Sequence, residues 1–195
     1  MRIAVIVGST RPGRLGIQVA QWAYDIAQKR GDADYELVDL VDFNLPLLDE
    51  PIPPSMGQYS KEHTKAWAAK IASFDGFIFV TPEYNHSTCG ALKNAIDFLY
   101  EEWNNKVAGF IGYGSAGGVR AVETLRLIMS EVQVATVRSQ VILSLFTDFE
   151  NLSTFKPADR HEKSVHQMMD QLLAWGGALG GLRDNKQTPL KRATG

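Results

Sequence analysis

A chain of 195 residues with 45% hydrophobic and 22% charged residues has the make-up of one ordinary globular domain, which excludes a chain disordered throughout. Its 20 Lys and Arg against 22 Asp and Glu leave a net charge of −2, which excludes a general attraction to nucleic acid or to an anionic membrane. The single cysteine, Cys89, excludes an internal disulfide and cysteine-rich zinc or iron–sulfur centres.

The apolar, β-branched run Ile3–Val7 predicts a strand buried on both faces, as in a parallel sheet. It is too short for a signal peptide or a membrane span, so the expected location is the cytoplasm. A glycine-rich loop, Gly8 to Gly16, follows. Ile17, Ala20, Ala23 and Ala27 then recur at helical spacing up to the stop signal Lys29-Arg30-Gly31. Tyr35–Leu40 is the second strand. Asp42–Ser60 holds four prolines among apolar residues, too apolar for a free linker, and is expected to pack against something such as a second subunit. Lys61–Ser73 predicts a helix with Ser60 as N-cap. Phe77–Val80 is a third strand, Thr81–Gly90 a loop and Ala91–Tyr100 a helix. Val107–Ile111 is a fourth strand, Gly112–Gly118 a second glycine-rich loop and Val119–Val132 a helix. A fifth strand lies within Thr136–Leu145, and Asp159 caps a last helix to Ala178. Trp67, Trp103 and Trp175 are expected in the core or an interface.

Buried strands alternating with helices predict an α/β fold. Five units in this length suit a flavodoxin-like three-layer sandwich with a five-stranded parallel sheet of order 2-1-3-4-5. Residues 1–182 are expected to form the single domain, and residues 183–195 a flexible tail.

In such sheets ligands bind beyond the carboxyl ends of the strands, at the switch point between strands one and three. The loops Gly8–Gly16, Thr81–Gly90 and Gly112–Gly118 meet there. The first offers helix N-terminal N–H groups, the hydroxyls of Ser9 and Thr10, and the guanidinium groups of Arg11 and Arg14, a set suited to a phosphate. A solvated surface position is the equal alternative for Arg14. Arg14-Leu15 replaces the Lys-[Ser/Thr] of a P-loop, which leaves a monophosphate site without metal. The second loop sets polar groups beside Tyr84, and a flat heteroaromatic ring is expected to lie against its backbone. The third matches G-x-G-x-x-G but follows the fourth strand, so its glycines favour close approach to a ligand rather than a dinucleotide fold. His86 with Cys89 as a nucleophilic pair ranks below a core cysteine. His161 and His166 miss the zinc-protease spacing by one residue and are expected on a surface helix.

Gly8-Ser-Thr-Arg-Pro-Gly-Arg14, Pro82-Glu-Tyr-Asn85 with Gly90–Asp97, and Gly112–Gly118 together resemble the NADPH-dependent FMN reductase family, from about Met1 to Val141. The resemblance implies that Ser9, Arg11, Arg14, Gly16 and Ile17 hold an FMN phosphate. It implies that Pro82, Glu83, Tyr84 and Asn85 line the isoalloxazine, largely through backbone groups, and that Ser115 and Gly117 close the other side. Lys93, Asn94 and Asp97 match as structural support. NADPH as reductant, a small acceptor, and a homodimer or homotetramer follow in the same way. His86 and Cys89 stand where the family often has Gly and Pro. Flavin takes hydride itself, so no side-chain acid, base or metal is expected, and turnover is expected to be ping-pong. For Arg120, a solvated helix position is expected ahead of contact with the NADPH 2′-phosphate. The alternatives are a non-enzymatic electron carrier, disfavoured by a charge of only −2, and a flavin-binding regulatory protein.

Overall fold

The computed structural model describes residues 1–184; residues 185–195, most of the expected tail, lie outside the described residues. Strands β1 (Arg2–Val7), β2 (Asp34–Asp39), β3 (Gly76–Pro82), β4 (Lys106–Gly114) and β5 (Val134–Ser144) form one parallel sheet of order β2-β1-β3-β4-β5. This is the expected flavodoxin-like topology, and it puts the switch point between β1 and β3. Side chains alternate along a strand. Ile3, Val5 and Val7 therefore enter one core, and Ala4 and Ile6 enter the other.

Helices α1 (Gly16–Arg30) and α5 (Arg160–Ala178) cover the first core with Val19, Ala23, Met168 and Leu172. Helices α2 (Glu62–Ala72), α3 (Gly90–Asp97) and α4 (Val119–Glu131) cover the second with Trp67, Leu92 and Leu125. Trp67 and Trp103 are fully buried there, and their indole N–H groups donate to the carbonyls of Ala95 (2.8 Å) and Ile96 (3.1 Å). Each such burial contributes about 2–3 kcal/mol only because its polar N–H finds an acceptor. Trp175, by contrast, is half exposed on α5.

The 42–60 connection is pinned from two sides. Asn94 of α3 donates Nδ2–H to the Pro46 carbonyl (2.7 Å) and accepts from Leu48 N–H (3.0 Å), which makes it structural support, as expected. Phe43 packs edge-on to Trp67, while Leu47 and Met56 stay exposed. Ser60 is not the cap of α2: Lys61 holds that position. The Glu50 carboxylate instead accepts from the N–H groups of Ser60 and Lys61 and from the Ser60 hydroxyl. A carboxylate at a helix N-terminus is favoured by the helix dipole. Partial burial raises the Glu50 pKa, but these donors overcome it and hold the group at about 2.

Asp159 holds the N-cap position of α5, as expected, without a side-chain capping bond. Between β5 and α5 the chain makes a short hairpin, β6 (Phe149–Glu150) with β7 (Thr154–Phe155), which no periodicity announces. A short helix, α6 (Gly180–Asp184), ends the described chain. Within it Arg183, the first residue of the expected tail, pairs with Asp75 (3.2 Å) and donates to the carbonyls of Asn105 and Gly176. Among the described residues no helix is long and apolar enough to cross a membrane.

Candidate functional site

The carboxyl ends of β1, β3 and β4 release three loops into one mouth. Ser9, at the end of β1, is 1% exposed. Its hydroxyl shares a 3.3 Å hydrogen bond with the Tyr84 hydroxyl and accepts from Arg11 N–H at 3.3 Å. Arg11 Nε donates to the same Tyr84 hydroxyl at 3.1 Å. Thus Ser9, Arg11 and Tyr84 converge from two loops through side chains, where sequence reasoning gave Tyr84 a backbone role. Arg14 does not join them. Its guanidinium pairs with Asp39 at the end of β2, so it is not a solvated surface residue, while its Nε is buried without a partner. The loop's unneutralised charge is therefore that of Arg11.

Gly16 and Ile17 open α1, where the first N–H groups have no intrahelical acceptor. Behind them stands Tyr113 of β4, 5% exposed, whose hydroxyl has no hydrogen-bond partner. Burial pushes its pKa above that of an ordinary phenol, so it remains a protonated donor. A Cβ at position 16 would stand 2.8 Å from that oxygen. Glycine here leaves room for the Tyr113 hydroxyl, and a larger residue would have to displace that side chain.

Pro82 ends β3, paired with Tyr113 in the sheet. Glu83 donates its N–H to the Tyr113 carbonyl (3.0 Å), while its side chain, 4% exposed, crosses to α4. There its carboxylate accepts from Arg120 N–H (3.0 Å) and pairs with the Arg120 guanidinium. Arg120 lies on a helix with its side chain 42% exposed, as expected, but it also ties the second loop to the start of α4 through Glu83. Asn85 and His86 both have positive φ (48° and 71°), and Tyr84 and Ser87 bond to each other across them. Glycine suits that second position, so the side chain at His86 is a local departure. Its Nδ1 lies 3.1 Å from an Arg120 guanidinium nitrogen.

Cys89 is buried, donates to the Gly8 carbonyl (3.0 Å), and has a thiol pKa raised by burial. Buried and occupied in this way, it is a core cysteine. Ser115 and Gly117 form the turn after β4. Gly118 next to them has φ 72°, and a Cβ there would meet Tyr113 N at 2.4 Å, so only glycine fits.

A cavity of about 140 Å³ opens between these loops. Arg11, Tyr84 and Tyr113 give it a polar side. Leu15, Leu145 and Leu152 give it an apolar one, the last two from the connection after β5. The sequence reading missed this wall, because Asn151-Leu152 is not the Asn-Gly that marks a tight hairpin. It also missed the pair that holds the wall. Asp148, 1% exposed, accepts from Ser144 N–H (2.9 Å), the Thr147 hydroxyl (3.1 Å) and His161 Nε2 (2.8 Å). Burial raises its pKa, but these donors outweigh that and hold it below the ordinary carboxylate range. His161 is correspondingly buried and not on a surface helix face.

An orphaned phenol, a buried hydroxyl, one unneutralised guanidinium and a helix N-terminus are the kinds of donor that suit an anion such as a phosphate. Pro82, Glu83 and Tyr84 border the cavity. Among the described residues no three His, Cys, Asp or Glu side chains could hold a metal ion.

The family model described as NADPH-dependent FMN reductase matches residues 1–148. The chain is 43% identical to the NAD(P)H-dependent FMN reductase ntnL of Nectria sp. over 157 residues, 75% of this chain and 78% of that protein. It is 42% identical to the NAD(P)H-dependent FMN reductase C4B3.06c of Schizosaccharomyces pombe over 169 residues, 86% of this chain and 84% of the other. The solved structure of FerB, a flavoenzyme NAD(P)H:(acceptor) oxidoreductase from Paracoccus denitrificans, superposes with a TM-score of 0.71 at 22% identity, covering 91% of this chain and 97% of that one, a likeness of fold.

Proposed function

The chain belongs to the NADPH-dependent FMN reductase family, and on that footing we propose that it is an FMN-dependent oxidoreductase. Its reaction moves two electrons and a proton from NADPH or NADH, with one further proton from water, to a flavin, quinone or similar small acceptor. The observation that carries this reading is the buried Tyr113 hydroxyl without a partner, set beside Gly16 at the α1 N-terminus and close to the Ser9–Arg11–Tyr84 cluster. A buried donor left unpaired costs about 1–3 kcal/mol, a cost removed when a ligand oxygen accepts from it.

Ser9, Arg11, Gly16 and Ile17 hold the FMN phosphate, and Tyr113 and Tyr84 add hydroxyl donors to it or to the adjoining ribityl chain. Arg14 acts from behind, through Asp39. Pro82, Glu83, Tyr84 and Asn85 line one side of the ring, Ser115 and Gly117 the other. The Glu83–Arg120 pair keeps those two loops at fixed separation. Bound there, flavin supplies reversible two-electron chemistry at its N5, so the protein's work is binding, orientation and exclusion of water.

The reductant and the acceptor use the same opening in turn. The protein works in the cytoplasm as a homodimer or homotetramer, a state supported by the exposed Leu47 and Met56 of the 42–60 connection. Steady-state rates with NADPH and a quinone varied together test the shared opening. Parallel double-reciprocal lines are expected, and lines that intersect would overturn it.

A further inference from the structure

A buried titratable pair that the flavin reading leaves unused, Asp148 with His161, stands at the outer edge of the sheet. Asp148 follows the edge strand β5, and His161 lies in the first turn of α5. The His161 side chain is 9% exposed, and its Nε2 is bonded to Asp148 Oδ1 at 2.8 Å. The other carboxylate oxygen accepts from Ser144 N–H and from the Thr147 hydroxyl. The carboxylate thus serves as an acceptor throughout, so Nε2 carries the proton of the neutral ring and Nδ1 is the acceptor. Fixing one ring nitrogen in this way orients the other. Among the described residues Nδ1 has no hydrogen-bond partner, and it is not one of the side-chain atoms buried without a partner. It is therefore open to a ligand.

His161 borders a cavity of about 330 Å³ lined also by Gln140, Ile142, Arg160 and Ser164. None of these residues lines the cavity at the mouth, and no acidic side chain lines this one. Among the described residues no carboxylate pairs with the Arg160 guanidinium. Gln140 turns its Oε1 to Arg126, whose Nη2 donates to it at 3.1 Å. A guanidinium can only donate, so this contact settles the amide's orientation and makes Nε2 its free end. Arg126 is itself anchored on the Val137 carbonyl at 2.7 Å, which holds Gln140 in place. Ile142 adds an apolar face. The cavity thus offers a charged donor, a neutral donor, one oriented acceptor and an apolar surface. A plain carboxylate would satisfy the two donors but set an oxygen lone pair against Nδ1. A carboxylate that also carries a hydroxyl satisfies all three.

We propose that this cavity is a second binding site, for a short-chain hydroxycarboxylate. The carboxylate accepts from Arg160 and Gln140 Nε2, the hydroxyl donates to His161 Nδ1, and the carbon chain lies on Ile142. The site stands independently of the flavin reading.

The test titrates the full chain, loaded with FMN, with lactate and 3-hydroxybutyrate, and with propionate and butyrate as their counterparts without the hydroxyl. Calorimetry gives the affinities, and the ring nitrogen signals of His161 report contact at Nδ1. The hydroxy acids are expected to bind about tenfold more tightly than the plain acids and to shift those signals. Arg160→Ala is expected to weaken them about tenfold. Gln140→Glu keeps the contact with Arg126 but sets a carboxylate in the cavity, and is expected to abolish binding. FMN affinity is expected to be unchanged in both variants. His161 is left in place because it also holds the segment after β5. Equal affinity for hydroxy and plain acids would overturn the proposal, as would inorganic phosphate binding as tightly as lactate, which would show a site for charge alone. Binding unaltered in Arg160→Ala, His161 signals that do not move, or no binding of any of these acids would overturn it too. Hydroxy acids displaced by FMN would place them in the mouth and overturn it while sparing the flavin reading.

Discussion

After β1, β3 and β4 the chain leaves the sheet through loops whose shape is set by the main chain. After β5 it leaves through a segment whose shape is set by two buried side chains. In the first group, Gly16 admits the Tyr113 hydroxyl and Gly118 turns at φ 72° against the backbone of residues 112 and 113. In the second, Asp148 gathers Ser144 N–H, Thr147 and His161, and so positions Leu145 and the hairpin that carries Leu152. Backbone-coded geometry demands particular residue types in fixed order. Geometry held by a buried pair demands only that two side chains meet, and their spacing in sequence carries no signature.

Breaking the backbone-coded side should have the largest effect. Gly118→Ala places a Cβ into main-chain atoms at 2.4 Å and in a left-handed conformation. We expect a loss of about 4 kcal/mol in urea unfolding, from overpacking and strain together. An unfolding midpoint equal to that of the wild type would show that this loop yields.

Breaking the side-chain-coded part comes next. Asp148→Ala leaves His161 without its buried partner and Ser144 N–H without an acceptor, at a cost of about 3 kcal/mol at neutral pH. The Asp148 pKa is depressed in the folded state. Its contribution is therefore complete above the unfolded value of about 3.9 and lost as pH falls through the lower folded value. The penalty of the substitution should shrink on that acid limb, as melting followed against pH would show. A penalty independent of pH would mean that packing, not the ionised Asp148 carboxylate, holds the segment.

These two variants mark what could be read in advance. The sheet order, five of the six described helices and the three loops were legible because buried β-branched runs and clustered glycines are forced by parallel pairing and close approach. Ser9 and Arg11 stood out as candidates for a phosphate because helix N-termini and guanidinium groups select phosphate; their convergence on the Tyr84 hydroxyl is what the structure adds. Tyr113 as an orphan donor was not legible, since its role depends on how near β4 stands to Gly16. The partners of Arg14 and Arg120 were not legible either, because a charge in a loop or at a helix start does not reveal whether Asp39 or Glu83 has already claimed it.

A smaller effect sharpens the phosphate end. Arg11→Ala should weaken FMN binding about tenfold, roughly 1.4 kcal/mol. Riboflavin, which lacks the phosphate, should bind the variant and the wild type alike. Equal losses for both ligands in fluorescence titration would move Arg11 from the phosphate to the ring.

The smallest effect lies away from the mouth, at a second place built by a remote side chain. Glu50→Gln should cost about 1 kcal/mol at neutral pH through weakened bonds to the N-terminus of α2. Glu50 has its pKa lowered to about 2. Its advantage is thus full above the unfolded value of about 4.3 and fades as pH approaches 2. Thermal melting at neutral and acid pH would register the convergence of variant and wild type; curves that stay apart in acid would contradict it.

The central claim is that the mouth built by these two strategies holds FMN and passes reducing equivalents through it. The most direct measurement is the visible absorbance spectrum of the FMN-loaded protein, titrated with NADPH without oxygen and then given a quinone. The account predicts bound flavin that bleaches with NADPH and returns to the oxidised spectrum with the quinone. Protein that binds no FMN, or bound flavin that stays oxidised under NADPH, would contradict it.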